Sequence, residues 1–271
     1  MAPATLSAIA LLGWMDRDDA IVFLLEQCGF DPPLDRQQAE ELWTQYHDRV
    51  QALPARNPHQ PPQRFPIAPA NKGLVADFLA RHRGPEVTDV ISVNPMGLLA
   101  YQTCVVTDRA DHHHQEAGGW ARKTLMIDRP AAQLPYRIEG DTIKFALPHA
   151  EHMFAFQNGS FQIQQGAGFV SVVDIGQGRL VLKAGYHRSF AFARTVMNEP
   201  EAKDKCELVA LTTSLPPALA PTCPHQGLRT KVFGSCPPLF SDFFDPDLAI
   251  TVRLRKKRWE AHLRIAAVDD P

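Results

Sequence analysis

Proline is concentrated in two segments of this chain, and this distribution constrains its fold more than any other feature. Six of the sixteen residues from 54 to 69 are proline, and a second Pro-rich stretch covers residues 215–238. Proline has no backbone N–H and favours extended, polyproline-like segments, so neither stretch can be a central strand or a regular helix. We therefore predict a linker at 54–69 and a surface loop at 215–238.

The residues before the linker carry helical signals. Asp16 can cap a run that contains Ile21, Leu24 and Leu25, and Asp35 with Gln38 forms a capping box. The apolar residues that follow the box recur at helical spacing: Ala39, Leu42, Trp43, Tyr46 and Val50. The sequence thus predicts a helical hairpin over residues 5–53, assigned to a unit at 1–53 that docks on the rest of the chain.

The spacing of apolar residues changes after a short helix that begins at Asn71 and ends at Gly84-Pro85. From residue 90 onward, short alternating runs separated by Gly-rich turns indicate strands of an antiparallel meander. The last of them predict a C-terminal hairpin with a basic tip at Lys256-Lys257-Arg258. We expect an α+β fold, with a β-rich domain over residues 70–271.

Composition narrows the function classes. The formal net charge of -2 gives no global attraction to nucleic acid or to anionic membranes, so any basic site must be local. Five cysteines spread over 271 residues do not suggest a disulfide framework. The first residues lack the positive region and cleavage site of a signal peptide, and no stretch approaches the roughly 20 apolar residues of a membrane span. We expect a cytoplasmic protein.

The strongest candidate for chemistry is a strand, a glycine and a helix start at residues 180–189, LVLKAGYHRS. The N-terminus of a helix presents unpaired N–H groups and partial positive charge, which together can hold an anion. At this turn Arg188 could bind phosphate oxygens, Ser189 could add a hydroxyl and an N–H, and His187 could act as an acid or base. The alternative is that Gly185 merely permits the turn.

The segment Gly185-Tyr186-His187-Arg188 after a strand resembles the signature of the ParB/sulfiredoxin-like superfamily, and Val90 to Pro95 resembles the opening of that fold. The resemblance covers roughly residues 86–197. It implies a β-rich domain that holds nucleotide phosphates at the Gly185 turn. Tyr186 stands where sulfiredoxins have their reactive cysteine, so sulfinic-acid reduction is not expected. No Gly-Glu-Arg-Arg-like box and no helix-turn-helix follow, so a DNA clamp is not expected either.

These residues lead to one function and two alternatives. The first is binding of a nucleotide or other phosphate-bearing ligand at Gly185, Tyr186, Arg188 and Ser189, with or without NTP hydrolysis or transfer by His187 and with a divalent metal as a conceivable cofactor. The second is a non-enzymatic interaction or structural module that keeps the fold without the ligand. The third is nucleic-acid binding through a basic stripe at the C-terminal hairpin. The stripe comprises Arg253, Arg255, Lys256, Lys257 and Arg258.

Three His and Cys patterns invite a metal, but none carries a complete ligand set, so we predict no metal site. His112 and His114 share a face if their segment is extended, yet an exposed polar loop explains them as well. Cys223, His225 and Cys236 supply three ligands where structural zinc normally takes four. The run His149-Ala150-Glu151-His152 is one residue short of an inverted zincin motif.

Overall fold

A computed structural model gives the fold of most of the chain. It describes residues 5–56, 61–84, 87–115, 125, 136–140, 142–147, 152–157, 160–165, 169–176, 178–198, 208–212, 234–255 and 259–264. The chain forms two compact units, the first made of Met1–Met126 with Phe169–Arg255 and the second of Ile127–Gly168 with Lys256–Pro271. The described residues form helices and several small antiparallel or mixed sheets, so the class is α+β, as the sequence predicts.

The five α-helices whose bounds lie within the described residues belong to the first unit. They are α1 (Arg17–Val22), α2 (Arg36–Gln51), α3 (Lys72–His82), α4 (Thr107–Gln115) and α5 (Tyr186–Asn198). The capping box that the sequence predicts at the start of α2 is present, since Asp35 accepts a hydrogen bond from the Gln38 N–H and the Gln38 side chain accepts one from the Asp35 N–H. A π-helical segment, Phe23–Gln27, continues α1.

Fourteen strands are described across the two units. They are β1 (Thr5–Ala10), β2 (Arg64–Phe65), β3 (Asp89–Val93), β4 (Leu99–Ala100), β5 (Cys104–Val106), β6 (Tyr136–Glu139), β7 (Thr142–Leu147), β8 (His152–Gln157), β9 (Ser160–Gln165), β10 (Ser171–Asp174), β11 (Leu180–Ala184), β12 (Leu208–Thr212), β13 (Ile250–Arg255) and β14 (Trp259–Arg264).

The first unit contains two sheets. A three-stranded antiparallel sheet has the order β13-β1-β5, and a mixed six-stranded sheet has the order β2-β3-β12-β10-β11-β4. In the larger sheet β10 pairs antiparallel with β11, while β12 and β4 add parallel pairings, so the meander expected from the sequence is only partly present. The Pro-rich segment supplies β2, at one edge of this sheet, where a missing N–H is tolerated.

The core of the first unit lies where α5 packs on the larger sheet. Val172, Leu182, Tyr186 and Phe190 are buried together there with Trp14, and each such side chain adds roughly 1.5–3 kcal/mol of burial free energy. A second cluster joins α1 and α2 to the smaller sheet. The first of these clusters holds β11 and the start of α5, the segment that carries the candidate site.

Residues 5–10 correct the predicted helical hairpin, because they form a strand. β1 lies between β13 and β5, so its N–H and C=O groups have partners on both sides. Ala8 and Ala10 are fully buried on one face of it. Pairing with segments about 100 and 240 residues away in the chain sets this conformation, and a local apolar pattern contains no signal for it.

The C-terminal hairpin is also corrected. β13 pairs with β1 in the first unit, whereas β14 pairs with β7 in the second, so the two strands flanking residues 256–258 belong to different sheets. β13 has the expected alternation, but alternation does not specify the partner of a strand.

The second unit contains a three-stranded sheet of order β14-β7-β6 and a separate two-stranded sheet of β8 and β9. All of its pairings are antiparallel, and β7, β8 and β9 lie where the alternating residues predict strands. Among the residues described in both units, no helix has the length and apolarity needed to cross a membrane.

Candidate functional site

The turn that carries the sequence motif is fixed by one glycine. Gly185 lies between β11 and α5 with φ of 89°, a conformation that residues with a Cβ rarely adopt. A Cβ at this position would also lie 2.6 Å from Cγ2 of Val170. The glycine is therefore required twice, by its backbone conformation and by the close approach of Val170.

Tyr186 has a structural role in the first turn of α5. Its side chain is 1% exposed, and its hydroxyl donates a hydrogen bond to the Leu182 carbonyl at 2.7 Å. The same oxygen accepts the backbone N–H groups of Tyr101 at 2.5 Å and Gln102 at 3.0 Å. The hydroxyl thus ties β11 to the chain that follows β4, and it is not available to a ligand.

The remaining motif residues are also buried or half-buried. Arg188 is 8% exposed, Ser189 is fully buried, and the Ser189 N–H donates to the Gly185 carbonyl as a normal helical bond. His187 is half-buried, with its Nε2 atom inside. The structure brings the five predicted residues onto one helical turn. It buries Tyr186, Arg188 and Ser189.

The basic stripe lies partly within the described residues. Arg253 and Arg255 are exposed on β13, Val252 before them is buried and Leu254 between them is partly buried, so the predicted alternation is confirmed for these residues. Lys256, Lys257 and Arg258 lie outside the described residues. Within the described residues, the nucleic-acid hypothesis therefore rests on two exposed guanidinium groups, Arg253 and Arg255.

The histidine and cysteine candidates do not assemble into a metal site within the described residues, where no three potential ligands come together. His112 and His114 lie on α4, and positions two apart on a helix are about 200° apart around its axis, so the extended segment expected there is corrected. His149, Glu151, Cys223 and His225 lie outside the described residues; His152 begins β8.

The three described cysteines are free thiols. Burial raises the pKa of Cys28 to about 12, against a smaller lowering by the charge of Arg255, and burial raises the pKa of Cys104 to about 12 as well. Burial also raises the pKa of Cys236. These thiols stay protonated near neutral pH, and protonated thiols are poor nucleophiles and poor metal ligands.

A cavity of about 410 Å³, here named the arginine cavity, opens at the other end of β11. Arg179 and Leu180, where β11 begins, line it together with Asn94, which precedes Pro95 in the turn after β3. Arg56 and Asp242 line it from the segments 54–56 and 234–255. No residue from Gly185 to Ser189 is among its lining residues.

Asp242 holds Arg56 in place at this cavity. The carboxylate accepts both terminal nitrogens of Arg56, at 2.5 and 2.9 Å, and the Leu239 N–H at 2.8 Å. Arg56 also donates to the Pro237 carbonyl and lies 5.5 Å from the ring centroid of Trp14. Burial raises the pKa of Asp242 above its ordinary value, while hydrogen bonds from Arg56 and the Arg56 charge act against that shift.

Two prolines in the wall of the arginine cavity pack closely against glycines. A Cβ on Gly178 would lie 3.1 Å from Cβ of Pro61, and a Cβ on Gly97 would lie 3.0 Å from Cα of Pro62. Pro61 and Pro62 therefore approach the two turns as closely as they do because neither turn carries a side chain there. The Pro-rich segment shapes this cavity.

A second cavity, here named the aspartate cavity, has a volume of about 560 Å³ and lies between the smaller sheet, α4 and α5. Asp108, Asp111 and Asp245 line it along with the rings of Phe190, Phe243 and Phe244. Among the described residues that line it, the one cation is Arg194, which forms an ion pair with Asp111. Gly185 to Ser189 are not among its lining residues either.

Sequence reasoning missed the residues that line the arginine cavity and those that line the aspartate cavity. Arg56, Asn94, Arg179 and Asp242 come from four segments that are far apart in the chain, and no short motif contains two of them. The one local signal was the turn Gly176 to Gly178, which delivers Arg179 to the start of β11.

Comparisons of the chain with family models, with curated proteins and with solved structures gave no match. The resemblance of residues 86–197 to ParB/sulfiredoxin-like domains accordingly remains a hypothesis that rests on the sequence.

Proposed function

We propose that this protein binds a small phosphate-bearing ligand such as a nucleotide, and that the ligand occupies the arginine cavity. The observation that carries the proposal is the convergence of two guanidinium groups, Arg56 and Arg179, on a cavity of about 410 Å³. This volume lies within the range of about 300–1,000 Å³ that is usual for small-molecule sites. Guanidinium groups are well suited to phosphate because their planar N–H donors match two phosphate oxygens.

The charge of the cavity supports an anion. Its lining carries two guanidinium groups and one carboxylate, and that carboxylate, Asp242, is engaged by Arg56 and by a backbone N–H. Asp242 therefore acts as a brace that orients Arg56. Asn94, Gln63 and Ser241 add polar groups that can bind a ribose or a base.

The cavity also joins the two segments that carry the family resemblance. Asn94 belongs to the strand and turn at Val90 to Pro95, and Leu180 begins the strand that leads to Gly185. The proposal keeps the phosphate-bearing ligand that the resemblance implies but moves it from the end of β11 to its start. In this proposal the packed turn at Gly185 has a structural role, which is to fix the position of β11.

The proposal does not use His187 for chemistry. Arg179 and Gly185 are six positions apart along an extended strand, a span of about 20 Å at the usual rise per residue. A general base must come within hydrogen-bond reach of the group it acts on. Binding in the arginine cavity is therefore proposed without hydrolysis by His187.

Titration calorimetry with ATP, CTP, GTP, UTP and inorganic phosphate tests the proposal. We expect at least one of them to bind, and Arg179→Ala to weaken that binding about tenfold, the usual loss for one charged hydrogen-bonding partner. Arg36→Ala is the matched control, because Arg36 is exposed on α2 and lies outside the cavity lining. Circular dichroism establishes that each variant is folded.

The same titrations with Arg188→Ala distinguish the two ends of β11. Loss of binding in folded Arg188→Ala, with normal binding in Arg179→Ala, would return the ligand to the Gly185 turn and contradict our placement. If phosphate is released from a bound triphosphate and this release depends on His187, that result would also return the ligand to the Gly185 turn. Absence of binding to all five probes would contradict the proposal itself.

That last outcome would favour the second candidate, a non-enzymatic interaction or structural module. The burial of Tyr186, Arg188 and Ser189 supports this candidate, because it gives the motif a packing role that needs no ligand.

A further inference from the structure

The aspartate cavity is independent of the proposed phosphate site. None of its lining residues lines the arginine cavity, and its volume of about 560 Å³ is in the usual range for a small organic ligand. β1 and β13 form one wall, α4 and α5 form another, and the 3₁₀ segment Phe240–Phe244 closes the third.

The charge of the lining favours a cation. Three carboxylates and one guanidinium line the cavity, which leaves a net negative charge of two. Within the described residues, the Asp108 carboxylate accepts only the Ser7 N–H, at 3.0 Å, and the Asp245 carboxylate accepts only the Asp247 N–H, at 2.9 Å. Each carboxylate can therefore accept further donors while it keeps its backbone partner.

The rings give the cavity an apolar floor beside these carboxylates. Phe190 and Phe244 are stacked, with ring centroids 4.7 Å apart and an angle of 11° between their planes. The face of an aromatic ring attracts an ammonium or guanidinium group, and the attraction is larger when the cation is desolvated. A flat cation with a hydrocarbon stem matches this combination of surfaces.

The chain already places one guanidinium group in this way. The Arg194 guanidinium lies 5.9 Å from the centroid of the Phe190 ring and pairs with Asp111. The neighbouring pair, Phe244 and Asp245, offers a ring and a carboxylate of the same types to a second cation. A bare metal ion fits less well, because no three potential ligands come together among the described residues.

From these observations we propose that the aspartate cavity binds a small organic cation, an ammonium or guanidinium group on a hydrocarbon stem, between the Phe244 ring and the carboxylates of Asp108 and Asp245.

The test uses two probes that differ mainly in charge, butylguanidinium and butylurea, titrated into the full chain by calorimetry or NMR. We expect butylguanidinium to bind at least about tenfold more tightly, since butylurea cannot form the ion pairs. The double variant Asp108→Asn, Asp245→Asn keeps a side-chain oxygen that can accept each backbone N–H, and it should lower the affinity for butylguanidinium about tenfold.

A matched double variant, Asp18→Asn with Asp77→Asn, controls for net charge, because both residues are exposed on α1 and α3 and neither lines the cavity. We expect it to bind butylguanidinium as the unmodified chain does. Equal binding of the two probes, equal losses in the two double variants, or displacement of butylguanidinium by millimolar Mg²⁺ would each overturn the proposal.

Arg194→Ala gives a second measurement that does not depend on removing carboxylates. The substitution releases Asp111 and the Phe190 ring, so we expect a gain of about threefold in affinity and a rise in melting temperature when butylguanidinium is added. A folded Arg194→Ala protein whose melting temperature does not respond to butylguanidinium would contradict the proposal.

Discussion

The two ends of β11 differ in what surrounds them. At its end, Gly185 and Tyr186 lead into α5 through a turn in which Val170 fills the space beside the glycine and three hydrogen bonds hold the Tyr186 hydroxyl. At its start, Arg179 lines a cavity of about 410 Å³. The recognisable motif is at the packed end and the open volume is at the other.

The difference between the two ends shows that a glycine turn and an anion site have separate requirements, although one sequence motif suggests both. A glycine with positive φ before a helix is needed for the turn whether or not a ligand is present. Anion binding needs, in addition, a space in which the N–H groups of the helix are exposed. Substitutions at the packed end should therefore change stability, whereas substitutions at the open end should change ligand affinity.

The largest effect is expected for Gly185→Ala. The positive φ and the contact with Val170 both oppose a Cβ, so the free energy of unfolding should fall by about 3 kcal/mol in urea denaturation. Gly73→Ala is the control: Gly73 lies in α3 with open space around it, and the substitution should add about 0.5 kcal/mol. Equal effects of the two would show that the turn is not strained.

Arg56→Ala should have an effect of similar size, because it leaves the buried carboxylate of Asp242 without its guanidinium partner. We expect a loss of about 3 kcal/mol at pH 7.5. The control is Arg36→Ala, whose ion pair with Glu40 is exposed and should contribute less than about 1 kcal/mol.

The loss in Arg56→Ala should depend on pH. Burial raises the pKa of Asp242 in the folded state, so folding favours the protonated carboxyl. The stabilisation from that proton is fully present below the ordinary Asp pKa. It is lost as the pH rises through the raised pKa. Without Arg56 the pKa rises further. The stability difference between the unmodified chain and Arg56→Ala should therefore narrow as the pH is lowered toward 4, and a constant difference would contradict the role of Asp242 as a buried ionised brace.

Tyr186→Phe should cost about 2 kcal/mol, since the Leu182 carbonyl and two backbone N–H groups lose the hydroxyl while they stay buried. Tyr46→Phe provides the comparison, because the Tyr46 hydroxyl makes no hydrogen bond among the described residues. Thermal denaturation measures both. If Tyr186→Phe were as stable as Tyr46→Phe, the turn would have room for other partners.

Arg179→Ala should have the smallest effect on stability, less than about 1 kcal/mol, together with the roughly tenfold loss of ligand affinity stated above. This pairing of a small stability change with a large affinity change identifies the open end of β11. A stability loss as large as that of Gly185→Ala would indicate that Arg179 is a packing residue as well.

The local parts of the fold were predictable from the sequence. The capping box at Asp35 and Gln38, the helix after Gly185 and the strands at residues 142–165 follow from caps, glycines and alternation within a few residues. β1 was not predictable in the same way, because only its pairing with β13 and β5 makes a strand of TLSAIA. The split of β13 and β14 between two sheets is likewise set by distant partners.

The candidate sites show the same limit. The residues of the Gly185 turn are adjacent in sequence and could be named from it, but their burial depends on Val170, Tyr101 and Phe240, which come from three other segments. Arg56 and Asp242 are 186 positions apart, and their ion pair forms only because folding brings the segment 54–56 against the segment 234–255. The residues that form a recognisable sequence motif are therefore not the residues that line the cavities of this protein.

The position of β1 has a consequence for the order in which the chain can fold during synthesis. Thr5 pairs with Arg255, so the central strand of the smaller sheet finds one of its two neighbours only after about 250 further residues have left the ribosome. Until then one edge of β1 has unmet N–H and C=O groups, the kind of edge on which nascent chains associate. Translation past residue 255 is thus the step that closes the first unit.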